Sequence, residues 1–264
     1  MPFANINNIT LHYREEGTPD GAPIVFANSL GTDLRLWDKI VPNLPAGLRF
    51  IRYDMRGHGK SDCPDAPYSM GTLVKDAEGL LDHLAIKNAL FVGLSIGGMV
   101  AQGLAVKRLD LIRAMVLSNT AAKIGQPSMW HDRIETVRAG GVPALSEAQL
   151  DRWFPKSFHQ TEEFAFWRDM LNGTDAQGYM GCAAAIAGTD FYTPTSGLRL
   201  PAIAIAGSDD KSTPPDLVRE TIDLIPGSAF HLIRRAGHLP CVDQPEAYLK
   251  ILTDFIDSTG HLNG

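Results

Sequence analysis

Three residues, in one chain order, are of the types that could together activate a hydroxyl group. They are Ser95 in Gly93-Leu94-Ser95-Ile96-Gly97, an aspartate in Gly207-Ser208-Asp209-Asp210, and His238 in Ala236-Gly237-His238. A serine hydroxyl attacks a carbonyl only when a neighbouring base takes its proton, and a carboxylate holds an imidazole base in the right tautomer. G-x-S-x-G is a short pattern that a chain with 25 glycines could produce by chance. Its setting adds weight: the apolar run Ala89–Val92 stops directly before it and a helical pattern starts near Ile96. A sharp strand-to-helix turn there strains the Ser95 backbone, with glycines at 93 and 97 letting adjacent chain pass closely. It also sets the hydroxyl at a helix N-terminus, where amide groups favour developing negative charge.

Eight histidines compete for the role of base. His238 lies in a turn between the last strand-like run and the last helical one. His12 and His83 fall within an edge strand and a helix, His261 in the tail, and His131 and His159 in a helical insertion. His58, in Arg56-Gly57-His58-Gly59, shapes a loop. Of the two carboxylates, Asp210 is favoured because Gly-x-x-Asp-x-x-Thr-Pro leads into a helix, and Asp209 is the alternative. An oxyanion formed at Ser95 needs two amide donors. Ile96 follows the nucleophile, and Leu30 lies in Asn28-Ser29-Leu30-Gly31 directly after the run Ile24–Ala27.

The elements that must position these residues are short apolar runs: Ile24–Ala27, Phe50–Tyr53, Ala89–Val92, Ala114–Leu117, Ala202–Ala206 and Phe230–Ile233. Most are continuously hydrophobic, as strands are when helices cover both faces of a parallel sheet. Ile9–Arg14 reads as an antiparallel edge. Helical patterns alternate with the strands at Thr72–Leu84, Gly97–Val106, Asp216–Ile225 and Glu246–Asp257. Thr213 before Pro214-Pro215 predicts a capped helix start, and Asp243 with Glu246 predicts a capping box. The stretch 122–197 breaks the alternation. It holds helical pieces at Met129–Arg138, Glu147–Phe154, Glu162–Leu171 and Gln177–Ala187 and reads as a lid inserted after the sixth strand. The core is then 1–121 together with 198–264.

Composition narrows the function classes. The 264 residues suit one α/β domain, and a net charge of −6 offers nothing to nucleic acid or an anionic membrane surface. Three cysteines without CxxC spacing give neither a disulfide framework nor a zinc site. The first ten residues lack the basic start and apolar run of a signal peptide, and no stretch is long and apolar enough to span a bilayer. These features predict a cytoplasmic protein, and they are compatible with a homo-oligomer. With no ligand cluster or phosphate loop in the sequence, no cofactor and no metal are expected.

Several segments carry a resemblance. They are Asn28-Ser29-Leu30-Gly31-Thr32, Tyr53-Asp54-Met55-Arg56-Gly57-His58-Gly59-Lys60-Ser61, Gly93-Leu94-Ser95-Ile96-Gly97-Gly98-Met99, Ser118-Asn119-Thr120-Ala121-Ala122-Lys123-Ile124-Gly125 and Gly181-Cys182-Ala183-Ala184-Ala185-Ile186. Over essentially its full length the chain resembles α/β-hydrolases, and more narrowly the 3-oxoadipate enol-lactone hydrolases. The last two segments carry the narrower match. The chain order Ser95, Asp210, His238 matches that fold, with the acid after the seventh strand; after the sixth, Leu117-Ser118-Asn119-Thr120 has no carboxylate. Many relatives have His-Gly where this chain has Asn28-Ser29. The resemblance implies opening of 3-oxoadipate enol-lactone to 3-oxoadipate through an acyl-enzyme, in aromatic-compound catabolism. Such a substrate carries a carboxylate, so a cation should line the pocket. Arg133 is the candidate, with Trp130 beside it and Trp153 as an apolar wall. Three other readings stay open: a carbon–carbon bond hydrolase of meta-cleavage products, a general carboxylesterase, and a small-ligand receptor without turnover.

Overall fold

Each apolar run becomes a strand of a single eight-stranded sheet in the computed structural model, which describes residues 2–263. The strands are β1 (Phe3–Ile6), β2 (Ile9–Gly17), β3 (Ala22–Ala27), β4 (Leu48–Tyr53), β5 (Ala89–Leu94), β6 (Ile112–Ser118), β7 (Ala202–Gly207) and β8 (Ala229–Ile233). Their order is β1-β2-β4-β3-β5-β6-β7-β8, and every pairing is parallel except those of β2 with β1 and β4. β5 and β7 are buried at every residue, which accounts for their unbroken hydrophobic sequence.

Among the described residues the α-helices are α1 (Met70–His83), α2 (Ile96–Lys107), α3 (Pro127–Gly140), α4 (Ser146–Trp153), α5 (Glu163–Asn172), α6 (Ala176–Ala187), α7 (Tyr192–Ser196), α8 (Pro215–Ile222), α9 (Pro240–Asp243) and α10 (Pro245–Ser258). Among them α2 packs on β3, β5 and β6, and α8 packs on β7 and β8. Helices α3 to α7 all lie between β6 and β7, and α3 packs on α6. No helix among the described residues is long and apolar enough to cross a membrane.

Three local expectations are corrected. Ile9–Arg14 is not the sheet edge, because β1 pairs outside it with Ile6 opposite Ile9. Asn7 and Asn8, at φ 50° and 63°, make the two-residue turn, and a four-residue strand is too short to show a period. Thr213 does not cap α8. Pro214 occupies the cap position, and the Thr213 hydroxyl donates instead to Asp210. Asp243 does not begin a capping box. It ends α9, Gln244 precedes α10, and the Asp243 carboxylate accepts the Gly237 N–H.

Register brings the loops that carry the candidate residues to one edge. Ala27 pairs with Gly93, Leu94 with Ser118, Ser118 with Ile205, and Gly207 with Ile233. The loops bearing Leu30, Ser95, Asp210 and His238 therefore leave the carboxyl ends of neighbouring parallel strands. Strand order reverses beside β3, since β4 and β5 lie on opposite sides of it, and open α/β sheets bind ligands at such a point.

Candidate active site

Ser95 sits between β5 and α2 at φ 57° and ψ −119°, in left-handed backbone that a side-chain-bearing residue adopts only under constraint. The constraint is visible on both sides. The Ser95 amide donates to the Ser118 carbonyl at 2.9 Å, and its carbonyl accepts the Thr120 hydroxyl at 2.6 Å. A Cβ at position 97 would lie 2.4 Å from the Ala27 carbonyl oxygen, so only glycine lets α2 cross β3 this closely. The Ile96 amide opens the helix, and neither it nor the Leu30 amide has an acceptor among the described residues. Both expected oxyanion donors are thus free.

The loop carrying Leu30 is held from beneath. The Asn28 side chain donates to the Tyr53 carbonyl at 2.8 Å and accepts from the Trp37 indole at 2.8 Å, so its amide has a structural task. The Gly31 amide donates to His58 Nε2 at 3.0 Å, and His58 Nδ1 lies 3.2 Å from the Arg56 carbonyl. Burial pushes the His58 imidazole below the ordinary histidine range, which keeps it neutral and able to accept.

His238 Nδ1 lies 2.9 Å from Asp210 Oδ2, and both side chains are buried. Asp209 is exposed and accepts the Ser208 hydroxyl, so Asp210 is the carboxylate that reaches the imidazole. Asp210 Oδ1 accepts the Ser212 and Thr213 amides at 2.7 and 3.1 Å. Its Oδ2 accepts the Thr213 hydroxyl and the Asn119 side-chain amide, each at 2.8 Å. Burial opposes the Asp210 charge, but His238 and the hydrogen bonds from Asn119 and Thr213 outweigh it. The carboxyl is held below the usual carboxylate range.

A cavity of about 70 Å³ joins these residues, lined by Ser95, His238, Leu30, Arg133, Trp130 and Trp153 among others. That is well under the roughly 300 Å³ of the smaller ligand pockets, so its walls close tightly on the serine. The Trp130 indole donates to the Ile124 carbonyl, and the Arg133 guanidinium stacks 4.9 Å from the Trp130 ring centre. Arg133 also donates to Gln149 Oε1 at 3.0 Å and has no carboxylate within ion-pair distance among the described residues. Burial lowers its pKa, with Arg152 as a like-charged neighbour adding to the shift and the Tyr179 hydroxyl beside it working against it. Trp153 is buried, and its carbonyl accepts the His238 amide at 2.7 Å. A larger hollow of 590 Å³, with Tyr68, Val74 and Phe191 in its wall, contains neither Ser95 nor His238.

Sequence reasoning missed Asn119, Gln149 and Arg152. Asn119 follows β6 at φ 45°, and its amide also donates to the Gly237 carbonyl at 3.3 Å. The polar run Ser118-Asn119-Thr120, breaking off an apolar strand at the ligand edge, was the available signal. Gln149 and Arg152 lie on α4 and line the cavity, and nothing local in sequence sets them apart from surface residues.

The profile of the alpha/beta hydrolase fold family matches residues 22–245. The chain is 34% identical to 3-oxoadipate enol-lactonase 1 of Acinetobacter baylyi, across 97% of this chain and 96% of that protein. It is 32% identical to 3-oxoadipate enol-lactonase 2 of the same organism, across 91% of each. The crystal structure of the enol-lactonase from Burkholderia xenovorans LB400 superposes with a TM-score of 0.94 at 37% identity, covering 97% of this chain and all of that one.

Proposed function

We propose that this chain, which belongs to the alpha/beta hydrolase fold family and is a hydrolase, opens 3-oxoadipate enol-lactone to 3-oxoadipate. The observation that carries the reading is the half-buried Arg133 guanidinium, with no carboxylate partner among the described residues, in the same small cavity as Ser95 and His238. A cation drawn partly out of water is less well solvated, and a ligand that supplies the anion offsets that loss. A lactone bearing a carboxylate matches both ends of the cavity: Arg133, over Trp130, takes the carboxylate, and the ester carbonyl faces Ser95. Trp153 forms an apolar wall between them.

The steps follow from the residues. His238 takes the Ser95 proton as Oγ bonds to the lactone carbonyl carbon, and Asp210 stabilises the resulting imidazolium. The Leu30 and Ile96 amides receive the oxyanion; losing one such donor costs about 2.7–4 kcal/mol of barrier. Collapse breaks the ring C–O bond and expels an enolate, which takes a proton from His238 and becomes the ketone. The leaving group stays tethered, so the acyl-enzyme holds the whole opened ring. Water, deprotonated by His238, then cleaves the Ser95 ester to give the dicarboxylate. The helices between β6 and β7 act as a lid over this chemistry, no cofactor is required, and the reaction belongs to cytoplasmic catabolism of aromatic compounds. Steady-state assays on the enol-lactone, a meta-cleavage product and a neutral ester test the reading. Rapid turnover is expected on the lactone, and turnover of the meta-cleavage product alone would overturn it.

A further inference from the structure

Trp153 ends α4, in the segment inserted between β6 and β7, yet it touches both halves of the hydrolytic machinery. Its carbonyl accepts the His238 amide at 2.7 Å. The fit is tight, because a Cβ at position 237 would lie 2.1 Å from that oxygen. Its indole reaches the oxyanion loop: a Cβ on Gly31 would meet Trp153 Cη2 at 3.4 Å and Leu171 Cδ1, from α5, at 2.6 Å. Gly31 adjoins Leu30 and is fastened on its other side by His58. The loop is therefore clamped between a core histidine and two side chains of the insertion.

We infer that Trp153 is a positioning residue, which sets the His238 turn through its carbonyl and the Leu30 amide through its ring, so that the site is competent only with α4 seated. This rests on Ser95 acting as a hydrolase nucleophile and does not depend on the lactone. The core supplies Asp210 with five hydrogen-bond donors, but it leaves the backbone of His238 and one face of the Gly31 loop to the insertion. Displacing a catalytic group by about 1 Å can cost on the order of 100-fold in rate. A cavity as small as 70 Å³, with Gln149, Arg152 and Trp153 of α4 in its wall, leaves α4 in direct contact with whatever enters it.

The test uses p-nitrophenyl acetate, a small neutral ester that needs neither Arg133 nor an extended apolar wall. Trp153→Phe keeps an aromatic wall but withdraws the Cη2 edge from Gly31, Trp153→Ala removes the ring, and Gly237→Ala pushes the carbonyl off His238. A positioning role lowers kcat on this ester by about tenfold or more in Trp153→Ala and Gly237→Ala, and by at least about threefold in Trp153→Phe. Thermal unfolding and circular dichroism establish that each variant is folded, and Trp153→Phe serves as the deciding variant if the others are not. Acetate turnover within threefold of wild type in the folded variants, with only the lactone KM raised, would reduce Trp153 to a wall and overturn the inference. A wild type that hydrolyses the acetate ester but not the lactone would undo the lactone reading alone.

Discussion

The two sides of the cavity are built on different principles. On the side of β6, β7 and β8, Asp210 takes every hydrogen bond its carboxylate can use, from two backbone amides, the Thr213 hydroxyl, Asn119 and His238. On the side of α3 and α4, Arg133 donates to Gln149, has the Tyr179 hydroxyl and an aromatic face beside it, and has no carboxylate partner among the described residues. A saturated carboxylate cannot rotate, so the imidazole it holds stays aligned. An unsaturated guanidinium keeps donors in reserve for a ligand. On the proposed reading the sheet aligns the base, while the inserted helices carry recognition and brace the His238 turn and the Gly31 loop.

The sheet side should show the larger effects on catalysis. Asp210→Asn replaces an acceptor-only group by one that donates, facing the Thr213 and Asn119 donors and His238. We expect kcat on the lactone to fall by about 10³–10⁴-fold, measured at steady state with folding checked by circular dichroism. A fall of less than tenfold would mean that Asp210 does not orient the base.

Arg133→Gln probes the other side. A charge-assisted hydrogen bond is worth about 1.5–3 kcal/mol, so the lactone KM should rise by roughly 10–100-fold with kcat changed far less. Selectivity for the lactone over a neutral ester should fall in proportion. A kcat loss as large as that of Asp210→Asn, at unchanged KM, would break the division between the two sides.

The smallest effects concern pH and stability, and two neighbouring carboxylates give opposite signs. Asp210 lies below its ordinary range, so its contribution to stability is present above the unfolded value of about 3.9 and is lost as pH falls through the lower folded value. Asp243 is raised to about 7, first by burial and further by Asp209 and Asp210, against the bond from Gly237. Between about pH 4 and pH 7 the folded state holds a proton that the unfolded state has lost, so stability falls as pH rises through that window. Asp243→Asn removes the charge and keeps an oxygen for the Gly237 amide. We expect its thermal midpoint to exceed wild type by a few degrees at pH 8 and to match it within about a degree at pH 5. A midpoint lowered at pH 8 would mean that the ionised carboxylate is needed to hold the His238 turn.

Legibility in the sequence follows the same division. Ser95, Asp210 and His238 could be placed because each lies just past a continuous apolar run, and parallel strands bring such ends to one edge. Arg133 and Trp130 could be proposed because a cation and an aromatic share one turn of a helix. The supporting contacts were hidden. Asn119 carries no chemistry of its own and acts only through a residue far along the chain. Thr213 and Asp243 have the side chains of helix caps, and groups a few residues back in the chain, Asp210 and Gly237, took those side chains instead. The Trp153 carbonyl is a backbone atom, invisible to any reading of side-chain types.

The role of Ser95 admits a direct measurement. Enzyme mixed with enol-lactone, quenched within a turnover and weighed intact, should gain the mass of the whole lactone, because ring opening expels nothing. Peptide mapping should place the adduct on Ser95, and Ser95→Ala should show neither adduct nor turnover. Lactone turnover that persists in Ser95→Ala would contradict the assignment of Ser95 as nucleophile.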